Sequence, residues 1–280
     1  MQSFHIPVPN HPEATLEGFL LDCEITLGQE ENRPAVLVCP GGGYVYCSPR
    51  EAEPVALSYA ARGFHAFVLR YSVAKDAAGF TPLEEINWAI GYIRENAAQW
   101  HINPNKIAVC GFSAGGHLAL ASGVLAENKP NAMILGYPAT SAPNIPGADF
   151  LLKILEGRDD VTDADAEKYD LVKKITKDTP PLFIAATAED MLTSFCTLPV
   201  ANAYARLGKP CEVHIFQYGP HGYSLANETT ADGSQSMLEP AFAQWQELIV
   251  QCLHKTFGQR VFTGKSTSRM TQILKEMGYI

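Results

Sequence analysis

Short apolar runs alternate along the chain with stretches in which apolar residues return every three or four positions. The runs AVLVC (35–39), HAFVLR (65–70), IAVC (107–110), AMILGY (132–137), LFIAAT (182–187) and EVHIF (212–216) read as buried strands. Between them, residues 50–62, 83–99, 114–127, 196–207 and 240–257 read as helices. Leu83, Ile86, Ile90 and Ile93 mark the buried face of the second one. Strands rich in Val and Ile, alternating with helices, predict an α/β fold with a mostly parallel central sheet covered on both faces. Near the N-terminus, FHIPV and LLDCEIT are expected to supply one or two antiparallel edge strands.

Two segments depart from the alternation. Residues 139–179 separate two strands and are rich in Pro, Asp and Lys. A connection that long reads either as a lid over a site or as a surface excursion carrying a helix or two. The tail from Gln259 to Ile280 follows Gly258, a helix stop. It places Met270, Ile273, Leu274 and Met277 at helical spacing. The expected organisation is one domain over 1–258 and an extension over 259–280 that packs on it or on a subunit partner in a homo-oligomer. There is no internal repeat.

Composition narrows the function. Of 280 residues 46% are hydrophobic and 18% charged, with a net charge of −9. That balance suits a globule with a sizeable core and disfavours a nucleic-acid surface, which needs clustered Lys and Arg. No apolar stretch approaches the roughly 20 residues that span a bilayer, and MQSFHIPVPN lacks the basic-then-apolar pattern of a secretion signal. Seven scattered cysteines form no CxxC pair and are expected as reduced thiols in a cytoplasmic protein.

The chemistry gathers at strand ends. In KIAVCGFSAGGHLALAS (106–122), Ser113 sits between Gly111 and Gly115 where a strand meets a helix, the context of a nucleophile elbow. The sharp turn brings positions two before and two after into close approach, and glycine fits both. The helix from Ala114 would point its positive end at an oxyanion formed on the serine's substrate. Gly41, Gly42 and Gly43 follow the first central strand. There the N–H of Gly42 or Gly43 could face the same oxygen as that of Ala114. A phosphate cradle is the weaker reading, because neither GxGxxG nor GxxxxGK is present.

A serine hydroxyl needs a base. Of eight histidines, His117 is too near Ser113 in sequence, and His65 and His214 lie in strand runs. His5, His11, His101 and His254 have no motif around them. His221 lies in QYGPHGYSLA, a Gly- and Pro-rich loop after the last strand, at the edge where α/β sheets carry their sites. LFIAATAEDML offers two carboxylates, Glu189 and Asp190, as the group that orients it.

The chain resembles α/β-hydrolases of the acetyl-esterase type, related to the hormone-sensitive-lipase and acetyl-xylan-esterase-like groups. The matching pieces are CPGGGY, REAEPVALSYAARGFHAFVLRYSV, GFSAGGHLA, TPPLFIAATAEDMLT and EVHIFQYGPHGYSLA. The resemblance implies an α/β-hydrolase fold with Ser113 as nucleophile, His221 as base and Asp190, rather than Glu189, as acid. Pro40 stands where lipase relatives carry histidine, and Thr193 and Ser194 where the group has Val-Pro. The N-terminus leaves little room for the two-helix cap of those relatives.

The activity implied is hydrolysis of short-chain, chiefly acetyl, esters through an acyl-enzyme, with no cofactor or metal. Small-molecule or oligosaccharide esters are the implied substrates. Tyr44, Tyr46 and Tyr223 flank the glycine and histidine loops, as substrate contacts or as plain packing. Two rivals stand beside this reading: an arylformamidase-like amide hydrolase, and a non-catalytic binding module on the same fold.

Overall fold

The computed structural model describes residues 1–23, 32–141, 145, 148–192, 194–258 and 269–279. The strands are β1 (Gln2–Val8), β2 (His11–Leu20), β3 (Arg33–Cys39), β4 (His65–Arg70), β5 (Ile102–Phe112), β6 (Ala132–Gly136), β7 (Leu182–Thr187) and β8 (Cys211–Phe216). They form one eight-stranded sheet in the order β1-β2-β4-β3-β5-β6-β7-β8. From β4 to β8 every neighbouring pair is parallel, and β2 runs antiparallel to both β1 and β4. The six apolar runs thus become β3 to β8, in the mostly parallel sheet their composition predicts.

Helices α1 (Glu53–Ala61), α2 (Thr81–Glu95), α3 (Ala114–Val124), α6 (Ser194–Arg206) and α8 (Trp245–Phe257) cover the sheet. Alternation along β3 shows how. Leu37 joins the core of one face with Ile86, Ile90 and Ile93 of α2 and Leu118 of α3. Val36 and Val38 join the other with Val55 and Tyr59 of α1 and Ile249 and Leu253 of α8. Burying a Val, Leu or Ile side chain contributes about 1.5–3 kcal/mol, so residues on both faces of β3 anchor the sheet.

The N-terminal expectation needs one correction. A second edge strand exists, but it is β2 over His11–Leu20, which ends where LLDCEIT begins, and Leu21–Cys23 are not strand. Asn10, at φ 64°, closes a tight turn between β1 and β2, so pairing begins earlier than the apolar run suggested. Residues 24–26 of that run lie outside the described residues.

Residues 139–179 contain α4 (Asp149–Glu156), α5 (Asp163–Lys168) and a short 3-10 turn, Leu171–Lys174. Leu152 and Leu155 of α4 are buried against the body. The short α7 (Pro240–Ala243) precedes α8, and Gly258 follows α8 at φ 80°. In the tail, α9 (Arg269–Glu276) leaves Met270 and Ile273 exposed, as is Met277 beyond it. The stretch 259–268 lies outside the described residues. No helix among the described residues is long and apolar enough to cross a membrane, and the seven cysteines are free thiols.

Strand order positions the site. The chain leaves β3 toward β4 on one side, then crosses back to β5 on the other. The carboxyl ends of β3 and β5 therefore flank a crevice where the connections diverge, the place at which open α/β sheets bind ligands.

Candidate active site

Ser113 stands in that crevice. β5 ends at Phe112 and α3 begins at Ala114, so Ser113 alone makes the turn, at φ 51° and ψ −116°. Such a backbone is strained for a non-glycine residue and persists only if its surroundings enforce it. Its N–H donates to the Gly136 carbonyl at 3.0 Å, and its carbonyl accepts the N–H groups of His117 and Ala139, each at 3.0 Å. A Cβ at Gly111 would lie 2.0 Å from the Gly115 carbonyl oxygen, and one at Gly115 would lie 2.1 Å from that of Cys39. Glycine at both positions lets β3, β5 and α3 close around the serine.

His221 and Asp190 complete a hydrogen-bonded chain. His221 Nε2 lies 2.8 Å from Ser113 Oγ, and its Nδ1 lies 2.8 Å from Asp190 Oδ2. A carboxylate oxygen only accepts, so Nδ1 carries the proton and Nε2 is left to accept from the serine hydroxyl. Asp190 is fully buried, and its Oδ1 accepts the Leu192 N–H at 2.9 Å. Of the two adjacent carboxylates, Asp190 reaches His221. Glu189 accepts the Gly219 N–H at 2.8 Å, while the Gly219 carbonyl accepts the Thr187 hydroxyl at 2.7 Å. Glu189 and Thr187 thus pin the start of the histidine loop to the end of β7.

Gly42, Gly43 and Ala114 line the same cavity as Ser113 and His221. Among the described residues no acceptor takes their N–H groups. Donors held near a serine hydroxyl without a partner are able to stabilise negative charge on an oxygen brought into the cavity. The cavity measures about 350 Å³, and Tyr46, Ile145, Phe150, Leu151 and Leu192 supply apolar wall. Part of segment 139–179 therefore walls the site. A larger cavity of about 480 Å³ opens at the opposite edge of the sheet, by the starts of β6, β7 and β8, away from this chemistry.

Of the three tyrosines considered as substrate contacts, Tyr46 alone lines the cavity. Tyr44 is buried, and its hydroxyl lies 2.9 Å from His117 Nδ1. Tyr223 is buried against Phe242 and over Gly219, where a Cβ would meet its ring at 1.8 Å. Both serve packing, because the backbone turns of their loops send the rings inward.

His117 is held away from the serine. The Tyr169 carbonyl, 3.2 Å from Nε2, can only accept, so Nε2 carries the proton and Nδ1 accepts the Tyr44 hydroxyl. Burial lowers the His117 pKa to about 4. The unfolded chain, at an ordinary histidine value of about 6.5, takes the proton first as pH falls. The stability from keeping this ring neutral is full above about pH 6.5 and is lost progressively toward pH 4. Between pH 8 and 5 this amounts to about 2 kcal/mol. Urea titrations at the two pH values should show that loss, and a smaller one in His117→Gln; equal losses in both proteins would refute it.

Besides the apolar wall, Glu51, Tyr137 and Arg50 make contacts at the site that the sequence alone does not assign. Glu51, in the turn Pro49–Glu51, is buried, and its carboxylate accepts the Gly41 N–H at 2.8 Å and the Tyr137 hydroxyl at 2.5 Å. Burial raises its pKa, and these two contacts oppose the rise. Arg50 donates to the Gly222 carbonyl at 3.0 Å and to that of Thr230 at 2.5 Å. The signal in the sequence is two adjacent charged residues, Arg50 and Glu51, shortly after a glycine-rich loop. Among the described residues no three His, Cys, Asp or Glu side chains cluster as metal ligands.

The BD-FAE family model matches residues 21–145. The crystal structure of MGS-M1, an α/β-hydrolase enzyme from a Medee basin deep-sea metagenome library, aligns with a TM-score of 0.79 at 36% identity. The match covers 91% of this chain and 98% of that one. The chain belongs to the α/β-hydrolase family. This α/β-hydrolase is also 32% identical over 223 residues to endo-1,4-beta-xylanase B of Butyrivibrio fibrisolvens, covering 72% of the chain and 34% of the relative. It is 27% identical over 198 residues to the acetylxylan esterase of Xylanibacter ruminicola, covering 68% of the chain and 41% of the relative. The chain thus spans well under half the length of these two curated relatives.

Proposed function

We propose that this α/β-hydrolase cleaves carboxylic esters of short acyl groups, acetyl foremost, carried on carbohydrates. The observation that carries the reading is the chain from Ser113 Oγ to His221 to Asp190, with both links at 2.8 Å. In it Ser113 attacks the ester carbonyl carbon while His221 Nε2 takes the hydroxyl proton. Asp190 holds the imidazole tautomer and stabilises the imidazolium that forms. The N–H groups of Ala114 and of Gly42 or Gly43 receive the oxyanion. The C–O bond to the alcohol breaks as His221 returns the proton to the leaving oxygen. Water, deprotonated by the same imidazole, then releases the acid and restores Ser113.

The short acyl preference is supported by the modest cavity of about 350 Å³, crowded by Phe150, Leu151 and Leu192, near the lower end of the range for small-molecule sites. Likeness to an acetylxylan esterase supports a carbohydrate carrier. Tyr46, half exposed at the cavity, gives a sugar ring an aromatic face to stack on. A series of p-nitrophenyl esters from acetyl to octanoyl, run beside acetylated xylo-oligosaccharides, tests both parts. Highest kcat/KM on acetyl or propionyl esters with release of acetate from the oligosaccharides is expected. A maximum at octanoyl would overturn the short-acyl preference, and no acetate release would overturn the carbohydrate carrier.

A further inference from the structure

We infer that Glu51 and Tyr137 are positioning residues that tie the oxyanion loop to the histidine loop, so that the two form as one unit. This rests on the ester-hydrolase reading above. Glu51 Oε2 accepts the Gly41 N–H, one residue before the proposed oxyanion donors, at 2.8 Å. Its Oε1 accepts the Tyr137 hydroxyl at 2.5 Å, and the Tyr137 oxygen in turn accepts the Ser224 N–H at 2.8 Å. Ser224 is three residues beyond His221, and the Tyr137 ring meets the imidazole edge-to-face with centroids 5.1 Å apart. One unbroken polar path thus runs from the glycine turn after β3 to the loop after β8.

The path is fully buried at its two central side chains. Glu51 is 4% exposed and Tyr137 2%, and a buried carboxyl is costly unless its hydrogen bonds are met. Here the carboxylate is met by a peptide N–H and a phenol, each from a segment that carries site residues. Tying down the Gly41 N–H fixes the peptide plane that leads into Gly42, and with it the direction of the donors that follow. At the other end, the Ser224 N–H has the Tyr137 oxygen as its acceptor, so the histidine loop takes its height from the same carboxylate. Arg50 adds a second tie, donating to Gly222 while its own carbonyl accepts the Ser224 hydroxyl at 2.7 Å. Neither Glu51 nor Tyr137 hydrogen-bonds Ser113 Oγ or the His221 ring nitrogens among the described residues. Their hydrogen bonds therefore act on the site through the loops, alongside the contact of the Tyr137 ring with the imidazole and the charge of Glu51 near it.

A glutamine at 51 can still accept the Gly41 N–H, but its amide end meets the phenol as a donor and turns the Tyr137 contact around. Phenylalanine at 137 leaves the Glu51–Gly41 link in place and frees the Ser224 N–H. The test compares Glu51→Gln, Tyr137→Phe and the double variant with wild type on p-nitrophenyl acetate. Concentrations are set by fluorophosphonate titration of the active serine, and Tm is measured in parallel.

Loss of one oxyanion donor costs about 10²–10³ in kcat, so a misaimed donor is expected to lower kcat by about 10–100-fold, with KM within about threefold. The phosphonylation rate should fall in parallel. The double variant should fall no further than Glu51→Gln alone, because both changes cut one path. Folded single variants with wild-type kcat, or losses that simply multiply, would overturn the coupling. If Glu51→Gln does not fold, Tyr137→Phe decides alone: a lowered kcat at unchanged KM upholds the coupling, and an unchanged kcat ends it. Failure of the underlying reading looks different, since wild type itself would then show no Ser113-dependent phosphonylation.

Discussion

Replacing Ser113 by alanine is expected to lower turnover of p-nitrophenyl acetate by about 10⁵-fold while leaving the fold in place. The change removes the one oxygen held 2.8 Å from His221 Nε2. What remains is the glycine loop, the Ala114 N–H and the cavity, which still bind and polarise an ester but offer no covalent route. Stability should hold because every contact that enforces the strained turn is main-chain: Gly136, His117 and Ala139 bond the peptide groups of residue 113, not its hydroxyl. Alanine meets the same φ of 51° with the same Cβ, so Tm should move by no more than a few degrees. In the proposed mechanism nucleophile and base act as a unit, so His221→Ala should cost nearly as much, and the double variant little more than either single one. Activity within tenfold of wild type in folded Ser113→Ala would remove Ser113 from the nucleophile's role.

Much of this site could be read in the sequence because its parts are local. Gly111, Ser113 and Gly115 sit in one pentapeptide, and a strand run and a helix run frame them. His221 stands out because its loop follows the last strand run. What could not be read are the relations between loops. Glu189 and Asp190 are neighbours after one strand: the resemblance points to Asp190, but the residues by themselves do not say which faces His221 and which faces Gly219. Tyr137 lies 86 residues from Glu51 and 87 from Ser224 in sequence, so no window of sequence contains the path they form. Whether Tyr44, Tyr46 and Tyr223 pack or face the cavity is another such relation: Tyr46 lines it, while turns at Tyr44 (φ 58°) and Gly219 (φ 132°) leave Tyr44 and Tyr223 buried. β2 is hard to read in the sequence because an edge strand such as HPEATLEGFL shows no continuous apolar run.

Asp190→Asn is expected to lower kcat by about 10⁴-fold, close to 5.5 kcal/mol of transition-state stabilisation. The size follows from a single proton. Asp190 Oδ1 accepts the Leu192 N–H and Oδ2 accepts the His221 Nδ1–H. An asparagine must keep its oxygen toward Leu192, because an amide group there would set two donors against each other. Its NH₂ then faces His221 and donates to Nδ1. The imidazole is driven to carry its proton on Nε2, the nitrogen that has to accept from Ser113. The serine hydroxyl loses its base although no atom has moved far, and the imidazolium loses its counter-charge. KM should change little, since Asp190 does not line the cavity. Glu189→Gln is the control: it weakens the hold on Gly219 but leaves the tautomer alone, and should cost less than about tenfold. The reverse order of losses would make Glu189 the orienting acid.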